Sequence, residues 1–267
     1  MTIHNKVVFI SDADSGSGKT ILQYLSNKGA HFILNSRSNG EEIRLELEQC
    51  QASGTKIVVI NVDLCNRAEL DIGIEQSTQQ LGTIDVMIHN NNLIKPISIE
   101  HGDEEVFFDI INENTKTALV CTQTIGKQMI AQQTGRIIYV SSIHAEKPTG
   151  SSFAYSASKG AIKMLASEAT LFLGRHGITV NTIEMGPVEG DNSALGSSFS
   201  TLYESYQTKV PNAILGTHED LASFIHYIAG DDSQYLNGAA IRFDGGFLNH
   251  YMDHKMKKPS SLEGGTP

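Results

Sequence analysis

The chain has 267 residues, a formal net charge of −10 and 40% hydrophobic residues, which suits one large α/β domain with a sizeable core. The acidic balance argues against nucleic acid as a partner, because phosphate binding needs clustered Lys and Arg. Cys50, Cys65 and Cys121 form no CxxC pair, which disfavours a disulfide framework or a zinc site, so no metal is expected.

The polar start Met1–Lys6 runs straight into a strand-like segment, with no signal peptide visible. No apolar run approaches the ~18–20 residues needed to span a bilayer. The expectation is a soluble cytoplasmic protein with no membrane partner. Val7–Ser11 reads as the first strand and leads into a helix near Ser17–Lys28. His31–Asn35 is the second strand, followed by a charged helix near Glu41–Ala52. Lys56–Val62 and a helix near Arg67–Leu81 come next, then the strand Ile84–His89. A long helix covers about Glu104–Gln132, and Arg136–Ser142 is the fifth strand. A helix over about Ser152–Arg175 precedes the sixth strand, Ile178–Ile183. Helical patterns near Ser200–Lys209 and Glu219–Ala229 precede a last strand, Ala239–Phe243. Strands that read as continuous Val/Ile runs between helices imply a parallel sheet covered on both faces, an α/β doubly wound architecture. No linker or repeat divides it. The predicted domain covers residues 1–253, with the irregular Ser/Gly-rich stretch Gly190–Ser200 inside a predicted lid over 187–211. Residues 254–267 form a Lys-, Pro- and Gly-rich tail.

The first strand ends in Ser11-Asp12-Ala13-Asp14-Ser15-Gly16-Ser17-Gly18-Lys19-Thr20, where two motifs compete. One is a dinucleotide loop, whose glycines let the backbone approach a pyrophosphate at a helix N-terminus. The other is a relaxed Walker-type phosphate loop, with Ala13 for its first glycine and Gly18-Lys19-Thr20 at its end. Asp63, after the third strand, could then pass for a metal-binding strand end. The dinucleotide reading is favoured, since Asp12 and Asp14 would set two negative charges beside a triphosphate. A plain turn with a helix cap from Ser15 or Ser17 is the remaining reading.

Tyr155 and Lys159 stand four residues apart on a predicted helix, which puts them on one face about 5–6 Å apart at Cβ. A lysine ammonium there favours the phenolate of a tyrosine that normally ionises near pH 10 (roughly). The pair could then exchange a proton near neutrality. Taken alone, such a pair is more often an ordinary helix surface. Ser142, at the end of the fifth strand, and the loop upstream change that weighting.

These residues together resemble the short-chain dehydrogenase/reductase family over about residues 5–247. Ser11–Gly18 is similar to its Thr-Gly-x-x-x-Gly-x-Gly loop, with Ser11 for Thr and Asp12 for the first glycine. Asp63 matches an acidic residue that contacts adenine, with Leu64 beside it, and Asn90 aligns with an Asn-Asn-Ala-Gly segment beside the adenosine. Asn92 and Leu93 stand where that segment has Ala-Gly. Asn114, Ser142, Tyr155 and Lys159 match the family's catalytic tetrad. Val180-Asn181, Gly186 and Val188 fall in the segment that approaches the nicotinamide, with Met185 for the usual proline, and Phe243-Asp244-Gly245-Gly246 matches a C-terminal turn.

The resemblance implies a single-domain Rossmann fold of about seven strands and a hydride-transferring oxidoreductase. Its substrate would be a small-molecule ketone or secondary alcohol, of the 3-oxoacyl reductase or sugar/polyol dehydrogenase kind. It implies cofactor contacts from Ser11, Asp12, Ser15, Gly16, Ser17, Gly18, Asp63, Leu64, Asn90, Tyr155, Lys159, Gly186 and Val188. Tyr155 would be the acid in reduction and the base in oxidation, and Lys159 would lower its pKa and hold the nicotinamide ribose. Ser142 would donate to the substrate oxygen, and Asn114 would hold a water linking Lys159 to solvent. The second strand ends with Ser36 where an acid would select NAD, and Arg37 follows, so NADP(H) is expected over NAD(H). His144 and Phe153 are candidate substrate contacts, though His144 also reads as a loop histidine with no task. Ser141 is expected to face the other side of its strand, and Glu146, Glu184 and Glu189 suit either a polar substrate or a solvated rim. Family members are homotetramers or homodimers. Two alternatives stay open: a non-catalytic nucleotide-binding sensor or scaffold on this fold, and a Walker-type NTPase.

Overall fold

The computed structural model describes residues 3–148, 152–189, 209–211 and 213–249. Its strands are β1 (Val7–Ile10), β2 (His31–Asn35), β3 (Ile57–Ile60), β4 (Val86–His89), β5 (Gly135–Ser142), β6 (Ile178–Met185) and β7 (Ala240–Phe243). They form one seven-stranded sheet in the order β3-β2-β1-β4-β5-β6-β7, and every pairing is parallel. The helices are α1 (Gly16–Ser26), α2 (Arg44–Ala52), α3 (Arg67–Leu81), α4 (Glu104–Ile111), α5 (Thr117–Gln132), α6 (Phe153–Leu173) and α7 (His218–Ala229).

Alternation along β1 explains the two layers. Val8 and Ile10 pack with Leu22 and Leu25 of α1 and with Leu221 and Ile225 of α7. Val7 and Phe9 point the other way, to Leu70 of α3, Ile125 of α5 and Ile162 of α6. Successive side chains of a strand face opposite sides, so an unbroken apolar strand must be covered twice. The chain runs outward from β1 through β2 to β3, then returns to place β4 on the other flank of β1. That reversal opens a crevice beyond the carboxyl ends of β1 and β4, where ligands of doubly wound sheets bind.

The predicted strands and helices that fall on described residues recur with shifted ends, and one element changes in kind. The continuous helix expected over Glu104–Gln132 is α4, a π-turn at Asn112–Lys116, and α5. A π-turn inserts one residue into the helical ladder, and such turns often mark functional sites. Here it carries Asn114, whose amide reaches out of the helix to Leu93. The helix expected over Glu41–Ala52 begins as a 3₁₀ turn at Glu41–Ile43, and β6 runs on to Met185. Among the described residues, no helix is long and apolar enough to cross a membrane. The helix expected at Ser200–Lys209, nearly all of the lid and the tail lie outside the described residues.

Candidate active site

The loop after β1 is shaped by close packing. A Cβ at Gly18 would lie 2.1 Å from Asp12 O, so only glycine closes this turn. Ser15 caps α1 by accepting from Gly18 N at 3.1 Å, which leaves the helix N-terminus facing the crevice as a place for an anion. Asp12 needs no left-handed backbone: among the described residues the non-glycine positions with positive φ are Asn5, Asn39, Gln133 and Ala213. Its departure from glycine is therefore one of charge. Burial pushes the Asp12 carboxyl up to about 6, against the pull of Arg37 and with help from Glu113 and Asp14.

The run Asn90–Leu93 after β4 ties the site together one residue at a time. Asn90 accepts from Ser11 Oγ at 3.2 Å and Asp12 N at 3.0 Å, and donates to Asp12 O at 2.8 Å. Asn91 donates to Glu113 Oε1 at 2.7 Å, and its carbonyl accepts from Lys159 Nζ at 3.1 Å. Asn92 Oδ1 accepts from Tyr155 Oη at 2.9 Å. Leu93 is held at both backbone atoms by Asn114, whose amide also donates to Ser158 Oγ at 3.0 Å.

Lys159 is fully buried with its Nζ 5.4 Å from the Tyr155 ring centroid. Burial drives its pKa down to about 7, opposed by the Glu113 carboxylate. Ser142 Oγ accepts from His144 N at 3.3 Å, and the His144 and Tyr155 rings meet edge-on at 5.9 Å. Tyr155 lines a cavity of about 460 Å³ with Ser142, His144, Gly186 and Val188. Asp12, Ser15, Gly16, Ser17 and Asn90 line the same cavity. Ser141 lines it too rather than serving the far side of its strand, and its buried hydroxyl has no hydrogen-bond partner among the described residues. A second cavity of about 420 Å³ lies at the ends of β1 and β2, lined by Asp12, Asp14, Ser15, Arg37, Ser38 and Glu42.

Other expected contacts sit elsewhere. Ser11 and Ser36 are buried beneath the loop. Asp63 is exposed and accepts from Cys65 N at 2.8 Å, while Leu64 packs in the core, and neither lines a cavity described above. Phe153 is a correction: it stacks on Phe107 at 5.9 Å and 22° and does not line the main cavity. Glu184 is another, being buried on β6 and paired with Lys163 at 2.9 Å rather than set on a rim. Several lining residues are not singled out as contacts by the sequence, among them Asp14, Asn92 and His218. Asp14 and Asn92 were visible as unusual residues in known motifs. His218 gave no signal, because tertiary packing alone brings the first residue of α7 against Gly16.

This geometry suits a dinucleotide. The cavity is lined by the loop at the α1 N-terminus and by Tyr155. The Lys159 ammonium is buried behind that phenol, outside the cavity lining, with one of its three donors given to Asn91 O. The glycine loop, the crevice and the seven-stranded sheet define the class: the chain belongs to the short chain dehydrogenase family, whose model matches residues 6–198, and it is an oxidoreductase. Among curated relatives, 3-oxoacyl-(acyl-carrier-protein) reductase FabG of Staphylococcus aureus is 27% identical over 242 residues, covering 90% of this chain and 97% of that protein. Among solved structures, a short-chain dehydrogenase/reductase of Serratia marcescens aligns with a TM-score of 0.83 at 25% identity, covering 92% of this chain and 99% of that one. Acetoin dehydrogenase of Enterobacter cloacae shares the fold with a TM-score of 0.81 at 24% identity, over 95% of this chain and 100% of that one.

Proposed function

We propose that the protein moves hydride between a nicotinamide dinucleotide and a small ketone or secondary alcohol, with Tyr155 as proton donor and acceptor. The observation that carries this reading is the placement of Tyr155 and Ser142 on the cavity that also holds the glycine loop, with the Lys159 ammonium buried behind the phenol. The dinucleotide would supply the hydride. Tyr155 Oη gives its proton to the substrate oxygen during reduction and takes it back during oxidation. Ser142 Oγ donates to the same oxygen, where negative charge develops. Lys159 stabilises the phenolate form and offers its remaining donors to a ribose hydroxyl. Asn114 acts through position: both amide donors are spent on Leu93 O and Ser158 Oγ, so it anchors the Asn90–Leu93 run.

The expectation of NADP(H) rests on Ser36 and Arg37 being available to a 2′-phosphate. Ser36 Oγ instead donates to Asp14 Oδ1 at 2.7 Å, and Arg37 pairs with Glu113. Asp14 is fixed further by Ser38 N and Ser38 Oγ, each at 3.0 Å. With Asp12 and Glu42 also lining this cavity, a second phosphate there would meet mostly carboxylates. The arrangement supports NAD(H), with Asp14 accepting from the ribose. The Walker-type reading loses its support, since Thr20 Oγ1 donates to Gly16 O within α1 and Asp63 caps its own loop.

The relatives point to 3-oxoacyl thioesters and acetoin-like ketones as first substrates to try. The deciding experiment is a screen of ketones and secondary alcohols with both nicotinamides, alongside Tyr155→Phe. Turnover that disappears in Tyr155→Phe while dinucleotide binding persists supports the reading. Turnover retained in that variant refutes it, and binding without turnover across the panel favours the sensor or scaffold.

A further inference from the structure

Asn92 brings a side-chain amide into the main cavity, against the phenol that the proposed reaction uses. Its backbone cannot drift, because Asn91 O on one side takes Lys159 Nζ and Leu93 on the other is held at both peptide atoms by Asn114. We propose that Asn92 is a positioning residue that latches the proton on Tyr155, holding the phenol as a donor until a substrate oxygen replaces the amide oxygen. This rests on the reading of Tyr155 as the proton donor.

The physical argument is one of acceptor against donor. An amide oxygen can accept only from the protonated phenol, and it repels a phenolate. A hydrogen bond to the neutral form disfavours ionisation. Lys159, from the same helix, works in the opposite sense with its ammonium 5.4 Å from the ring centroid. His144, from the segment after β5, sits 5.9 Å away ring to ring, and burial lowers its pKa and favours the neutral ring. Asn92 and Lys159 thus pull on the phenol in opposite directions. The latched tyrosine is loaded for carbonyl reduction; a substrate oxygen displaces the amide in either direction, and oxidation must in addition remove the proton that the contact favours.

The test uses the full chain without dinucleotide. Ultraviolet difference titration against Tyr155→Phe isolates this phenol among the 8 tyrosines. Asn92→Ala removes the acceptor and should lower the pH at which Tyr155 ionises by about half to one unit, the effect of a hydrogen bond of ordinary net strength. Asn92→Asp keeps the acceptor and adds a negative charge, so it should raise that pH. The pH profiles of turnover should move in the same two directions. A purely structural role would not give opposite shifts. Unchanged ionisation in Asn92→Ala, or a rise there, overturns the proposal; the rise would mean that the amide donates to the phenolate. The added charge of Asn92→Asp raises the value by itself, so Asn92→Leu, which also lacks the acceptor, decides in its place if Asn92→Ala fails to fold. If Tyr155→Phe keeps its turnover, the reading of Tyr155 fails instead.

Discussion

Asn114 clamps Leu93 across the crevice: its Oδ1 accepts from Leu93 N at 2.7 Å and its Nδ2 donates to Leu93 O at 2.9 Å. Two secondary structure breaks meet in this contact, the π-turn after α4 and the irregular run after β4. Asn114→Ala strips Leu93 of both partners and leaves Ser158 Oγ without its amide donor. Ser158 is fully buried, and its abandoned hydroxyl costs about 1–3 kcal/mol, whereas the peptide groups of the half-buried Leu93 can turn to water. The expected outcome in denaturant unfolding is a loss of about that size, with kcat falling more than KM because Asn92 and the phenol shift together. Wild-type stability in the variant would contradict the clamp.

Lys159 shows function set against stability. Burial lowers its pKa from the ordinary 10.5 to about 7. The unfolded chain therefore binds more protons than the folded one between those values, and stability rises with pH across that window. The cost is fully present below pH 7 and fades as the pH climbs towards 10. Lys159→Met should thus abolish turnover yet raise the Tm at pH 7. Each 1 kcal/mol gained is about 2–4 °C in a domain of this size. Thermal melts at several pH values check this, and the gain should shrink on the alkaline side.

Most of the architecture was legible in the sequence because it depends on local pattern. The Val/Ile runs of β1, β4 and β5 needed cover on two faces, and alternation with helices left a doubly wound sheet as the simplest arrangement. Tyr155 and Lys159 were legible for a similar reason, since helical spacing alone puts them on one face. What escaped depends on contacts distant in sequence. Hydrophobic periodicity cannot register the one-residue π insertion that turns Asn114 towards Leu93. Arg37 read as available because its partner, Glu113, lies on an element far along the chain. His218 enters the cavity only through the packing of α7 on α1.

Asp12 should make dinucleotide binding depend on pH. Burial first, then Glu113 and Asp14, raise its carboxyl from the ordinary 3.8 to about 6, while Arg37 and a hydrogen bond from the Ser15 backbone oppose the rise. A raised acid destabilises the folded state above about pH 6, and that cost disappears below the ordinary value. The charged form also stands beside the α1 N-terminus, where a pyrophosphate would dock. Affinity for NADH should therefore rise as the pH falls through 6. Asn in place of the acid, Asp12→Asn, should bind several-fold tighter at pH 8 and flatten the dependence. Calorimetric titration measures both, and a wild-type pH profile in the variant would remove Asp12 from the binding site.

Asp14 offers the sharpest handle on cofactor choice. It holds Ser36 Oγ at 2.7 Å and Ser38 at both backbone N and Oγ, so its carboxylate cannot swing away from an incoming ribose. Arg37, by contrast, is largely exposed and tied only at its tip to Glu113. A hydroxyl can donate to Asp14, whereas a phosphate meets it as a like charge. At about 4 Å and an effective dielectric near 20, that repulsion is worth up to about 4 kcal/mol. Asp14→Ser should then raise affinity for NADPH relative to NADH by about tenfold or more, which corresponds to about 1.4 kcal/mol. Adding Glu113→Gln, which weakens the hold on Arg37, should extend the shift, because the guanidinium can then turn to the 2′-phosphate. Binding isotherms for both dinucleotides decide the matter. An unchanged ratio in Asp14→Ser, or tighter NADPH than NADH binding in the wild type, would take cofactor selection away from this carboxylate.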